Sequence, residues 1–235
     1  MPRNPAKKRL LLRQYKGPLT LKQAAAGINL AINNAARLLA DARVLLGHGH
    51  YPSAAFLAAI AVEEHGKVAI LDRLAAAEAR ELESIWKEYR SHTSKNSRWI
   101  LPSLVDTGPK TLEQLSSVFA PNSIHQQAFE EIKQLCRYSD STGEGEWSDP
   151  LRFASKELAE QFIDNASRLI SVKGVTEEDM ALRVRAIRAV KRAHSLEEKM
   201  NVFAEYLRDY FGLSKVDVEA ILHGKIDLRG AGRKT

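Results

Sequence analysis

The sequence predicts an all-α protein, and three observations carry that expectation. Apolar residues recur at helical spacing from Leu21 to Leu46. An alanine-rich apolar run of nine residues spans Ala54 to Val62. No stretch shows the polar–apolar alternation of a strand.

Taken in order, residues 1–19 are basic and carry three prolines, which predicts a loose arm. The first helix places Ala24, Ile28, Ala31, Ala35, Leu38, Leu39, Ala42, Leu45 and Leu46 on one face. Gly47-His48-Gly49-His50 ends it. Tyr51-Pro52-Ser53 starts the second, with Pro52 suited to a first turn. That helix runs to about Ala77, and its many alanines suit close packing. The short turn makes the two an antiparallel pair, the start of a bundle. A third helix is expected from Ala79 to Ser97. Residues 101–122 are weaker, with Pro102, Gly108, Pro109 and Pro121. A helix covers Ile124 to Cys136, a loop Ser139 to Pro150, and a helix Ser155 to Ser171. Gly174-Val175-Thr176 breaks the chain, and Thr176 with Asp179 caps a helix that runs to Arg192. Ser195 with Glu198 forms a capping box for the next. A short helix covers Lys215 to Leu222, and Arg229 to Thr235 reads as a disordered tail. The expected organisation is an arm at 1–19, a helical domain at 20–172, a helical C-terminal extension at 173–228 and a tail at 229–235.

The length of 235 residues suits one large domain, or one domain with an extension. The single cysteine, Cys136, excludes an intrachain disulfide and a multi-cysteine metal site, and it fits a reducing cytoplasm. No segment approaches the roughly 20 apolar residues that span a bilayer. The basic stretch Lys7 to Arg13 has too short an apolar run for a signal peptide. A cytoplasmic protein that uses no membrane is expected. A net charge of +6 with a pI near 9.4 admits an anionic partner such as RNA.

Several segments carry a family resemblance. Asn33-Asn34-Ala35-Ala36-Arg37-Leu38-Leu39-Ala40-Asp41-Ala42 is followed by Tyr51-Pro52-Ser53-Ala54-Ala55. Then comes Leu57-Ala58-Ala59-Ile60-Ala61-Val62-Glu63-Glu64-His65-Gly66-Lys67. Arg90-Ser91-His92-Thr93-Ser94-Lys95 supplies a basic His-x-x-Lys segment. Tyr138-Ser139-Asp140, with Trp147 and Pro150 after it, supplies a Tyr-x-Asp segment. In this order the segments resemble the AbiV family of the HEPN superfamily, over roughly residues 20–172. The resemblance implies a HEPN-type helical bundle and a role in bacterial phage defence by abortive infection. Many HEPN proteins are dimeric ribonucleases; others are binding modules without catalysis. The ribonuclease signature is Arg, four to six residues, then His. Here only Lys87-x4-His92 approximates it at His92, and lysine lacks the planar fork of arginine. Arg188-x5-His194 also matches the spacing. Arg43 with His48 and His50 reads as chemistry of a helix C-terminus.

The residues support a site without the family. Leu57, Ala61, Glu64, Val68 and Leu71 share one stripe of the second helix, which puts Glu64 on an apolar seam. Leu82, Ile85, Tyr89, His92 and Trp99 approximate a stripe on the third. If the stripes face each other, Glu64 and His92 meet inside the bundle. RNA cleavage through the 2′-hydroxyl needs a proton acceptor and a proton donor, and histidine suits either role. In this reading His92 is the acid–base group and Arg90, Lys95 and Lys67 hold phosphate. Glu64 orients His92 or a lysine. No metal and no cofactor are called for. The alternative is an internal Glu–His pair that fixes helix register. Glu63 reads as a solvated partner of Lys67.

Other features are plainer. His48, His50 and His65 form no metal-ligand set of standard spacing. There is no Glu-x-x-His for a di-iron site, and no phosphate-binding glycine loop. Trp86, Trp99, Phe119 and Phe129 read as core anchors. One of Asn33 and Asn34 is expected to bridge to another helix or a dimer mate. Asp41 is expected to pair with Arg37 or Arg43. Tyr138 to Asp140 is expected to pin the loop that follows. Arg183, Arg185, Arg188, Lys191 and Arg192 occur with no intervening acid. They read as a solvated face or, functionally, as RNA or ribosome contacts. Val184, Ile187 and Val190 give the same helix an apolar face.

The expected function is a phage-defence effector that arrests growth of the infected cell by RNA cleavage. The alternative is a HEPN module that blocks translation by binding RNA, the ribosome or a protein, or a toxin–antitoxin component. Alanine-rich faces beyond the needs of one bundle point to a homodimer. A phage-encoded trigger or a protein partner is also expected.

Overall fold

The computed structural model describes residues 14–96, 124–143, 145–170, 173–216 and residue 218. Expectations for the first thirteen residues, for 101–122, Trp99 and Phe119, and for the tail lie outside them, as does most of the last short helix.

Helix α1 spans Leu21–Gly47. Thr20 and Gln23 form a reciprocal capping box at its start, which satisfies two otherwise orphaned backbone N–H groups. Gly49, at φ +77°, makes the tight turn that only glycine adopts without strain. Helix α2, Tyr51–Ala75, then returns along α1, with Pro52 in its first turn. Ala54, Ala58, Ala59 and Ala61 on α2 are fully buried. Small side chains let neighbouring backbones approach, so α2 is enclosed on most of its circumference.

The third predicted helix divides. A 3-10 turn covers Ala79–Glu81, helix α3 covers Leu82–Arg90, and helix α4 covers His92–Lys95. Ser91 between them is extended, at φ −74° and ψ 134°. Serine competes poorly for helix, and the break turns His92 and Lys95 toward α2. Helix α5 is Ile124–Leu135. The predicted loop contains a two-residue hairpin, β1 Ser141–Thr142 antiparallel to β2 Glu146–Trp147. Gly143 and Gly145 supply its positive φ angles. Ser148 bonds the backbone of both Tyr138 and Asp140, which pins this segment. Helix α6, Pro150–Phe153, is capped by Asp149, and α7, Lys156–Leu169, by Ser155.

The C-terminal helices are α8, Glu177–Arg192, and α9, Leu196–Phe211. Both begin with the predicted capping boxes, Thr176 with Asp179 and Ser195 with Glu198. They are docked on the bundle. The Asn29 amide donates to Val175 O at 2.9 Å and accepts from Val175 N at 2.8 Å. Met180 and Val184 enter the core beside Ile28, Leu71 and Leu74.

The core has two apolar clusters. One joins Leu38, Leu39 and Ala42 of α1 to the first half of α2, up to Val62, with Phe129 stacked on Phe162. The other joins the first half of α1, up to Ile32, to α2 from Val68 onward, with Ile85 and Trp86. Between them, Asn34 on α1 and Glu63, Glu64 and Lys67 on α2 form a polar layer, and the candidate site lies in it. Among the described residues no helix is long and apolar enough to cross a membrane.

Candidate functional site

Glu63 is at the centre of the polar layer. It is buried, with 4% of its surface exposed, because the second stripe of α2 (Ala59, Glu63, Gly66, Ile70) is covered as fully as the first. Lys133 of α5, equally buried, donates to Glu63 Oε1 and to Glu130 Oε2. The other oxygen, Oε2, lies 3.1 Å from His92 Nδ1. The His92 side chain is 68% exposed. A carboxylate only accepts hydrogen bonds, so Nδ1 is the donor in this contact.

A second pair lies one residue along α2. Glu64 accepts from Lys67, and from Asn34 Nδ2 at 3.0 Å. Burial pushes the Glu64 carboxyl up, but these two hydrogen bonds together with the Lys67 and Lys95 charges hold it below the usual range. Burial likewise opposes ionisation of Glu130, and the bonds from Lys133 and Gln134 again bring it below the usual range.

Lys95 is different. It is 8% exposed, and among the described residues no carboxylate lies within ion-pairing distance. Burial, and then the Lys67 charge, lower its pKa from the ordinary 10.5. Its backbone rests directly on α2. A Cβ added to Gly66 would sit 2.1 Å from the Lys95 carbonyl oxygen, so only glycine lets α4 lie this close. Gly66 therefore sets the position of His92 as well as of Lys95.

Lys95 should cost stability. Lys95→Met is expected to raise stability by about 1 kcal/mol at neutral pH, as removal of a buried unpaired charge does. With its folded pKa below the unfolded value, Lys95 binds fewer protons folded than unfolded in that interval. Stability of the native chain should then rise with pH in the interval below 10.5. Melting temperatures across alkaline pH check this; the variant should lose that rise.

The structure brings together His92, Glu64, Lys67 and Lys95, and it adds Glu63, Glu130 and Lys133. Glu63 is not the solvated partner of Lys67 that the spacing suggested; Lys67 pairs with Glu64. Arg90 stays outside the layer. Its guanidinium packs 5.2 Å from the Trp86 ring centre and donates to Trp86 O and Tyr15 O. Asn34 makes the interhelical bridge, and Asp41 pairs with Arg37 at 2.8 Å. Lys133 was missed, although Gln126, Phe129 and Lys133 form one buried stripe of α5. Among the described residues no three histidine, cysteine or acidic side chains converge as metal ligands.

The basic helix α8 is largely neutralised from within. Arg183 pairs with Asp72 at 3.2 Å and donates to the Tyr210 hydroxyl. Burial works against its charge, but Asp72 holds it above the ordinary range. Arg185 pairs with Asp209 and Lys191 with Glu81. Arg188 and Arg192 are exposed, and among the described residues neither is paired with a carboxylate.

The family model described as AbiV, of the HEPN class, matches residues 23–171, well over half of the chain. The chain belongs to the AbiV family of HEPN domains. The AbiV match begins in the first turn of α1 and ends just after α7, so it contains the whole polar layer; α8 and α9 lie beyond it. The AbiV family implies abortive infection in phage defence. No curated protein and no solved structure matches the chain closely enough to be counted as similar.

Proposed function

We propose that this AbiV chain arrests the infected cell by cutting RNA, with His92 as the acid–base group. The supporting observation is the solvent-exposed His92 ring whose Nδ1 is held by the buried Glu63 carboxylate. That arrangement fixes the ring orientation and tautomer and frees Nε2 for proton transfer. In the reaction Nε2 takes the proton of a 2′-hydroxyl, and that oxygen attacks the adjacent phosphorus. The bond from phosphorus to the 5′-oxygen breaks, leaving a 2′,3′-cyclic phosphate; the 5′-oxygen takes a proton from water, and the hydroxide so formed takes back the proton held at Nε2. Lys95, buried with no ion-pair partner among the described residues, supplies charge for the phosphoryl oxygens as they become more negative. A second copy of the chain is the expected partner in this reading.

The test is RNA integrity in cells after induction, beside a growth curve. Wild type should stop growth and fragment RNA, and His92→Ala should do neither while remaining folded. Arrest with intact RNA would instead favour the second reading, blockage by occupancy. That reading draws on Arg188 and Arg192, the exposed cations of α8 with no carboxylate partner among the described residues.

A further inference from the structure

Residues 1–13, which precede the described chain, carry Arg3, Lys7, Lys8, Arg9 and Arg13 with no acid, beside the apolar run Leu10-Leu11-Leu12. The segment from Tyr138 to Phe153 is their complement. It holds Asp140, Glu144, Glu146 and Asp149 against Arg152 alone, which leaves three negative charges in excess. It also exposes Tyr138, Trp147, Leu151 and Phe153, Trp147 by 74% and Leu151 by 79%. Ser148 ties the two ends of the hairpin together, so these residues share one small feature. Exposed apolar side chains grouped inside a charged rim mark a docking surface.

The course of the chain decides what the arm would cross. Trp86 donates to Gly17 O at 3.0 Å, and Arg90, one turn on, donates to Tyr15 O at 2.7 Å. Followed toward the N-terminus, the chain therefore runs along α3 in the direction of His92. Helices α3 and α5 both lead back along α2. Trp86 packs in the cluster of Val68 to Leu74, His92 and Lys133 meet Glu63, and Arg137 lies over the Phe56 ring at the foot of the hairpin. From Lys133 to Tyr138 the helical rise gives about 8 Å. Thirteen extended residues reach about 43 Å, which is enough to pass His92 and arrive at the hairpin.

We propose that the basic N-terminal arm docks, within its own chain, on the acidic and aromatic surface of the hairpin and α6, and lies across His92 in doing so. Leu10 to Leu12 cover Trp147 and Leu151, and the cations of the arm meet the four acids. The contact joins apolar burial to complementary charge, and salt weakens only the second part. On the reading of His92 as the acid–base group, the docked arm holds the site closed. That consequence rests on RNA cleavage; the docking does not.

The test is modification of the full chain by diethylpyrocarbonate, with the rate at each histidine read by mass spectrometry. The reagent is neutral, and the pH is set above the ordinary histidine range so that the rings are uncharged. One variant combines Lys7→Glu, Lys8→Glu and Arg9→Glu and releases the arm. A second combines Trp147→Ala and Leu151→Ser, both exposed positions, and removes its seat. His92 should react about fourfold faster in either variant than in wild type, the ratio for an arm docked three quarters of the time. The exposed His50 should keep its rate. Arg80→Glu, at an 83% exposed position on the 3-10 turn, should change neither. A photo-cross-linker in place of Leu11 should join to the segment 138–153 of the same chain, as mixed heavy and light isotope-labelled chains would show. Equal His92 rates in wild type and both variants overturn the proposal. Cross-links to another surface overturn it too, as do cross-links between chains, which make the arm a contact to a second copy. Faster His92 modification in both variants, with no RNA cut by any of the proteins, supports the docking and counts against the cleavage reading.

Discussion

Glu63→Ala is expected to cost about 3 kcal/mol of folding stability, the usual loss when one partner of a buried ion pair is removed. Glu63 and Lys133 are both 5% exposed at the side chain, so neither charge has water to turn to. After the substitution Lys133 retains, among the described residues, Glu130, whose side chain is 26% exposed. For a chain of this size the loss corresponds to a fall of about 6–12 °C in melting temperature. The same change removes the acceptor of His92 Nδ1, so the ring loses its fixed tautomer and activity falls together with stability. A double replacement separates the two effects. Glu63→Leu with Lys133→Met removes both charges, and such exchanges are often neutral or stabilising. The double variant should therefore melt near wild type and remain inactive. Thermal melting of the three proteins, with an RNA-cleavage assay on each, checks both parts.

Gly66→Ala is expected to destabilise the chain by about 2–3 kcal/mol, as overpacking of a tight contact does. A helical reading alone predicts the opposite sign, because alanine is favoured over glycine in a helix interior by about 1 kcal/mol. The overlap decides it. The new Cβ would lie 2.1 Å from the Lys95 carbonyl oxygen and 2.9 Å from its carbonyl carbon, and backbone cannot swing aside as a side-chain tip can. Helix α4 must then lift from α2, and His92 at its start leaves Glu63. Gly27 provides the contrast on α1. There an added Cβ meets the Leu71 side chain, Cδ1 at 3.5 Å and Cδ2 at 3.6 Å, which are ordinary contacts. Gly27→Ala should be neutral or gain a few tenths of a kcal/mol. Opposite signs at two helical glycines, read by melting temperature, would show that close approach and not helix propensity governs position 66.

The first helical pair was legible because both signals it depends on are local. Ala24, Ile28, Ala31, Ala35, Leu38, Leu39 and Ala42 recur at the helical period and are all buried. The capping residues before α8 and α9 were legible for the same reason, since a cap is a bond over three residues. The break at Ser91 was not. Its cause is tertiary: the chain turns there to bring α4 onto Gly66, and the propensities of Arg90 to Thr93 do not demand it. Glu63 was misread because a stripe argument assumes one buried face. Helix α2 has alanine on most of its circumference, so two stripes are buried, and Glu63 follows Ala59 on the second as Glu64 follows Ala61 on the first. Lys133 was hidden by distance along the chain, 70 residues from its partner. The basic run of α8 shows the same limit. Asp72, Glu81 and Asp209 neutralise it from other elements, which an uninterrupted run of cations does not reveal.

The most direct test of the account is to analyse the products when the purified chain is incubated with a short RNA. The RNA is offered intact and with a single 2′-deoxy substitution at the cleaved position. The account predicts a 5′ fragment ending in a 2′,3′-cyclic phosphate, seen by mass spectrometry. It also predicts no product from the 2′-deoxy RNA and none from the folded His92→Ala protein. Cleavage of the 2′-deoxy RNA, or cleavage undiminished in His92→Ala, would contradict it.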